Sequence, residues 1–314
     1  MKYKKCLGLP YMGSKRRLAK NIVDHILEKN PKTEYFFDLF GGGGAVSFEA
    51  MQRKCIKQVV YNELNTGVCE LLKKLQKDGV TEEMYEWVDR ETFHKLKDGN
   101  DWKAGLVKTC WSFGNNQVSY MFGKHIEEPK RLLHEVIVNK CEKSLKSFNK
   151  HFNINLEISE MDGETVNERR LQIQRIMKKQ VKDKSVLKGF CISEENSIRS
   201  VSQQLQQLER LQQLEIQNKS YKDVEIKTPI ENTIIYLDPP YENTGEYQKK
   251  LDHKESKDWI FKSKYKIYMS SYKCDYMHEV KSWKHRTKFS ATANNEVEEK
   301  LFCNRQEIEK KRFF

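Results

Sequence analysis

The chain has 314 residues, of which 38% are hydrophobic and 11% aromatic, enough for a globular core in one large domain or two unequal ones. A charged fraction of 32% and a net charge of +12 point to a polyanionic partner, most simply nucleic acid. The apolar runs are too short to span a bilayer, and no apolar secretory segment opens the chain, so a soluble, intracellular protein is expected. Eight scattered cysteines without a C-x-x-C pair exclude a zinc framework and a disulfide scaffold.

In chain order, residues 10–15 (Pro-Tyr-Met-Gly-Ser-Lys) precede an amphipathic helix in which Leu18, Ile22 and Ile26 repeat at i+4. Ser14 is a candidate cap, Gly13 permits a tight turn, and Lys15 with the free N–H groups there favours an anion such as a carboxylate. Residues 35–40 (Tyr-Phe-Phe-Asp-Leu-Phe) predict a buried strand, followed by Gly41-Gly42-Gly43-Gly44 and a helix from Ala45 through Met51. Strand, glycine turn and helix make the first half of a nucleotide-binding unit. The glycines fit neither G-x-G-x-x-G nor a phosphate-binding P-loop, which suits an adenosine carrying no phosphates. Residues 57–62 predict the second strand, ending at Glu63. An acidic side chain there commonly takes ribose hydroxyls; the alternative is a helix N-cap region at Asn62 or Asn65 with Glu63 simply exposed.

From Thr66 to about Gln213 the chain is charged, mainly helical in pattern and broken by turns. Residues 110–125 mix aromatics, amides and glycine, which suits base reading and wedging, or equally a ligand-free hairpin turn. Residues 164–184 predict a mostly basic helix that either tracks phosphates or is a solvated face. Residues 198–213 predict an amphipathic core helix. Leu214–Gln217, Lys266–Ser271, Arg286–Phe289 and Val297–Phe302 are further strand candidates. Between them stands Thr233-Ile-Ile-Tyr-Leu-Asp-Pro-Pro-Tyr241. Its apolar half predicts a strand buried on both faces, and the prolines end it abruptly. That leaves the Asp238 carboxylate and the Tyr241 ring at the carboxyl end of a central strand, where open α/β sheets bind ligands. The alternative is a plain proline turn.

Five segments in this order, Tyr-Met-Gly-Ser-Lys (11–15), Phe-Phe-Asp-Leu-Phe-Gly-Gly-Gly-Gly-Ala-Val (36–46), Tyr-Asn-Glu-Leu-Asn (61–65), Phe-Gly-Lys (122–124) and Asp-Pro-Pro-Tyr (238–241), resemble the Dam-type alpha group of DNA adenine-N6 methyltransferases. The resemblance covers 7–65 and 214–272. It implies an α/β fold, a Rossmann-like seven-stranded S-adenosylmethionine-dependent sheet, with 1–65 and 214–314 catalytic and 66–213 a mainly helical target-recognition insertion. It further implies that Tyr11, Lys15, Asp38, Phe40, Gly41, Gly43, Glu63 and Asp238 bind S-adenosylmethionine. Asp238, Pro239 and Tyr241 would act on a flipped adenine, and Asn115, Asn116, Tyr120 and Lys124 would contact double-stranded DNA. No metal and no membrane are expected. A cytoplasmic, nucleoid-associated enzyme of a bacterial or phage-infected cell is expected, as a monomer or weak dimer, with a cognate restriction endonuclease left open. Ser14 replaces a second glycine of Dam, and the segment after Phe113 is shorter and lacks the arginine-containing hairpin, so the recognition sequence GATC does not carry over. Asp-Pro-Pro-Tyr sites of this kind also serve RNA adenine, cytosine-N4 and protein glutamine; a non-catalytic DNA-binding module is the remaining alternative.

Overall fold

The computed structural model describes residues 8–181, 213–240, 251–288 and 294–307. They divide into two compact units, Lys15–Asn65 with Gln213–Phe314, and Thr66–Gln212 with the segment ending at Ser14. Residues 8–14 thus group with the helical unit.

The first unit is built on a mixed sheet. Its strands are β1 (Tyr35–Asp38), β2 (Gln58–Asn62), β3 (Leu214–Gln217), β4 (Thr233–Leu237), β5 (Lys266–Ser271), β6 (His278–Lys288) and β7 (Asn294–Cys303). Their order is β3-β2-β1-β4-β5-β7-β6, a seven-stranded sheet in which β1 to β5 run parallel and β7 is antiparallel to both β5 and β6. All five β4 residues are buried, as a strand flanked on both edges and covered on both faces requires. Phe37, Val60, Ile235, Leu237, Ile267 and Ile260 share one core. Two expected strands are longer than the sequence suggests: 286–288 is the end of an eleven-residue strand, and 297–302 lies inside a ten-residue one. Lysines and histidines mask the period of β6, and Phe289 lies outside the described residues.

Helix α1 (Ala19–Lys29) buries Ile22, Val23 and Ile26. It has no side-chain cap, so the expected Ser14 cap is not formed; the Lys15 carbonyl instead accepts the N–H groups of Leu18 (2.8 Å) and Ala19 (2.6 Å). Helix α2 (Ala45–Met51) starts at Gly44, whose φ of 75° is the left-handed conformation that glycine adopts at little cost.

The second unit is helical: α3 (Thr66–Asp78), α4 (Arg90–Leu96), α5 (Trp102–Cys110), α6 (Lys124–Asn139), α7 (Glu142–Phe152) and α8 (Val166–Gln180). Helices α3 and α5 touch at two glycines; a Cβ on Gly105 would lie 2.0 Å from the Gly67 carbonyl oxygen, so neither helix tolerates a side chain there. Leu133, Val136, Phe148, Ile173 and Met177 form a core that joins α6, α7 and α8. The helix α9 (His253–Lys262) belongs to the sheet unit. The helix expected over 198–213 lies, except for Gln213, outside the described residues.

Candidate active site

The carboxyl ends of β1, β2 and β4 each deliver a carboxylate to the same edge of the sheet. Asp38 ends β1 and is fully buried; the Ser47 hydroxyl of α2 donates to its Oδ2 at 2.7 Å, while Oδ1 has no hydrogen-bond partner among the described residues. Burial pushes this carboxyl up to about 7 against the opposing Ser47 bond, with the Asp238 and Glu63 charges adding to the rise. A buried acceptor left open is costly unless a donor arrives with a ligand.

Glu63 follows β2 and is half-buried, not exposed. Gly42 N–H donates to Oε2 and Asn65 N–H to Oε1, each at 2.8 Å, and burial raises its pKa despite these bonds. The backbone thus fixes the carboxylate at the end of β2. The turn between β1 and α2 is shaped to the same end. Gly41 N–H donates to the Asn62 carbonyl at 2.8 Å, and the Tyr61 hydroxyl donates to the Gly42 carbonyl at 2.7 Å. A Cβ on Gly41 would lie 2.2 Å from the Tyr61 ring, so only glycine fits. Gly43 is buried, and Phe40 packs tilted against Tyr221 at 5.2 Å between ring centroids.

Asp238 sits just past β4 and pairs through Oδ1 with Lys15 Nζ at 2.8 Å. Lys15 is buried, and its Nζ also lies 3.7 Å from Oε1 of buried Glu299 on β7. Burial works against the lysine charge, but the Asp238 and Glu299 carboxylates outweigh it and hold its pKa above the ordinary value. Pro239 is buried and Pro240 half-buried. Beside them, the Tyr236 hydroxyl and the Ser270 hydroxyl share a 2.7 Å hydrogen bond inside the sheet. Tyr241 lies outside the described residues. Of the expected cofactor residues, Lys15, Asp38, Gly41, Gly43, Glu63 and Asp238 thus meet at one sheet edge with Phe40 in the same unit, whereas Tyr11 falls in the helical unit.

Glu299 was missed. Its signal was a charged residue at the strand position that shares a face with Leu301 and Cys303, both buried. Ser47 was missed too, since a serine in a helix carries no sign of its partner.

In the helical unit, residues 112–120 form a closed loop. Phe113 N–H donates to Ser119 O (2.8 Å), Met121 N–H donates to Trp111 O (2.9 Å), and Ser112 and Tyr120 form an antiparallel bridge. Asn115 and Gln117 adopt positive φ angles of 60° and 64°. The expected DNA-contacting residues divide here. Lys124 is exposed and opens α6, and Asn115 is half-buried. Asn116 turns inward: its Oδ1 accepts the N–H groups of Val118 and Ser119, and its Nδ2 donates to the Ser119 hydroxyl. Tyr120 is a correction. It is buried, donates its hydroxyl to the Val88 carbonyl at 2.8 Å and lies under the Arg90 guanidinium, so it supports the loop instead of reading a base. The loop tip exposes Phe113 (66%) and Val118 (50%).

The basic helix α8 needs a second correction. Arg169 and Arg170 are buried and cannot track phosphates. Arg169 Nε donates to Ile137 O (2.6 Å), and its Nη groups donate to the carbonyls of Val138, Gly163 and Glu164. A cation thereby closes the carboxyl end of α6. Lys178 and Lys179 remain exposed. No group of His, Cys, Asp and Glu among the described residues is arranged to hold a metal ion. No helix among them is long and apolar enough to cross a membrane.

Five parallel strands closed by an antiparallel hairpin, with carboxylates at the ends of β1, β2 and β4, define a Rossmann-like methyltransferase. The profile of the D12 class N6 adenine-specific DNA methyltransferases matches residues 11–312, and the chain belongs to that family. It is an enzyme that methylates the N6 position of adenine in DNA in a site-specific manner. A comparison with curated proteins finds no match.

Proposed function

We propose that the enzyme uses S-adenosylmethionine as methyl donor, acts on adenine flipped out of double-stranded DNA, and recognises its target with residues 66–213. The observation that carries the cofactor is the open Oδ1 of buried Asp38, an acceptor suited to an ammonium group. Glu63, already oriented by two backbone N–H groups, takes the ribose hydroxyls, and the glycine turn lets the nucleoside lie against backbone. When bound, S-adenosylmethionine supplies an electrophilic methyl group on a sulfonium.

The chain's own residues then make the adenine amine nucleophilic. Its lone pair is delocalised into the ring. Asp238 and the Pro239 carbonyl accept its two N–H bonds and favour a tetrahedral nitrogen whose lone pair is localised. Lys15 fixes the Asp238 carboxylate for this task, and the gain comes from positioning and electrostatic complementarity. Stacking of Tyr241 on the flipped base rests on the sequence alone. On the DNA side, Asn115, Lys124 and the exposed Phe113 are the contacts this reading favours, with an apolar tip suited to wedging into a base step.

The test is incubation with isotopically labelled S-adenosylmethionine and unmethylated duplex DNA, followed by digestion to nucleosides and mass spectrometry. Label in N6-methyldeoxyadenosine is expected. Calorimetric binding of S-adenosylmethionine without label in duplex DNA would reject the duplex substrate, and absence of binding would reject the cofactor.

A further inference from the structure

Glu299 lies in β7, opposite Trp283 of β6, and is 2% exposed. Its Oε1 stands 3.7 Å from Lys15 Nζ, and the same nitrogen stands 2.8 Å from Asp238 Oδ1. Two carboxylates therefore share one ammonium, and the cluster keeps a net single negative charge. Pairing Lys15 needs only one of them. A second carboxylate withdrawn from water is costly, and beside Asp238 it adds repulsion.

The chemistry at Asp238 gives this arrangement a use. Positive charge develops on the amine nitrogen as the methyl arrives, so the acceptor must stay electron-rich. A lysine that pairs with Asp238 alone orients the carboxylate but also cancels its charge. A lysine shared with Glu299 orients it and leaves the charge in place. The other ionisable groups facing this cluster are Asp38 at the end of β1, Tyr236 on β4 and Tyr272 after β5, of which Tyr272 is partly exposed.

We propose that Glu299 is a positioning residue of the methyl-transfer reaction: it draws off part of the Lys15 charge, so that Asp238 is held in place and still presents a negative carboxylate to the amine. The inference rests on the reading of Asp238 as the amine acceptor.

The experiment compares wild type, E299Q, E299D and D238N in single-turnover methylation of duplex DNA between pH 5 and 9, with S-adenosylmethionine binding measured by calorimetry. In E299Q the lysine serves Asp238 alone. The plateau rate is expected to fall about tenfold, while the acid limb, set by ionisation of Asp238, moves to lower pH and the Kd for S-adenosylmethionine stays within about threefold. E299D, with the charge withdrawn from Lys15 by one methylene, is expected to fall between the two, and it decides by the same limb should E299Q not fold. A wild-type plateau and limb in either folded variant would overturn the proposal. A lower plateau with an unmoved limb would assign Glu299 a purely structural role and overturn it equally. D238N separates the two readings: if it transfers methyl at the wild-type rate, the role of Asp238 itself falls, whereas an inactive D238N beside an unaffected E299Q removes Glu299 alone.

Discussion

Asp38 in the sheet unit and Arg169 in the helical unit are both charged and both buried, 1% and 8% exposed, yet their surroundings treat them oppositely. Arg169 donates to four backbone carbonyls that close the end of α6 and the turn before α8. Asp38 receives one serine hydroxyl and keeps an oxygen with no partner among the described residues. Burial alone therefore does not mark function. A buried charge whose hydrogen-bonding capacity is filled by its own chain is scaffold, and one left partly open is held ready for a ligand. Glu63 and Asp238 stand at the same sheet edge as Asp38, oriented by backbone N–H groups and by Lys15 respectively.

The comparison can be broken at several points. The largest effect is expected at the reacting centre: Asp238→Ala should lower single-turnover methylation by about a thousandfold or more at saturating S-adenosylmethionine, with the circular dichroism spectrum of the wild type retained. Methylation at the wild-type rate would remove Asp238 from the chemistry. Next is Arg169→Met, which orphans carbonyls at the end of α6 and should cost roughly 3 kcal/mol in urea unfolding, while a folded sample binds S-adenosylmethionine normally. A loss of cofactor affinity out of proportion to stability would deny that Arg169 is scaffold.

Asp38→Asn should do the reverse, weakening S-adenosylmethionine about a hundredfold while stabilising the free enzyme in alkaline buffer. The sign follows from the raised pKa. The folded protein keeps a proton on Asp38 from pH 3.8 up to about 7 that the unfolded chain has released, so the contribution of this group to stability falls as pH rises through that window. The Tm of Asp38→Asn relative to wild type should accordingly climb between pH 5 and pH 8 in thermal scans without cofactor. Wild-type cofactor affinity should rise toward pH 7 and that of the variant stay flat. The smallest effect is expected from Lys124→Ala, with about one unit less slope in the logarithm of DNA affinity against the logarithm of salt. An unchanged slope would take Lys124 off the phosphate backbone.

How much the sequence disclosed follows the same division. Central strands such as 233–237 are continuous apolar runs, and the helix over 45–51 begins after a glycine turn, so both are legible locally. The carboxylates at strand ends were legible because strand termination and ligand edge coincide in this topology. Only the end of β6, from Arg286, was legible as a strand, since an edge strand half open to water needs no apolar period. Arg169 fell in a basic helix read as either tracking phosphates or solvated, because a sequence displays charge but not whether four carbonyls surround it. Glu299, amid Glu296, Glu298 and Lys300, looked like solvated surface until its register on β7 put it inside. Ser14 looked like a helix cap, but the Lys15 carbonyl had already taken the first N–H groups of α1.

The chain positions of Lys15, Asp238 and Glu299 also impose an order on synthesis. Lys15 leaves the ribosome before the first helix and Asp238 after the fourth strand, while Glu299 emerges only with the last strand of the sheet. β7 must then slot antiparallel between β5 and the already finished β6 before the three side chains can meet. A nascent chain halted anywhere before that insertion carries most of the nucleoside-facing edge and none of the completed charge cluster.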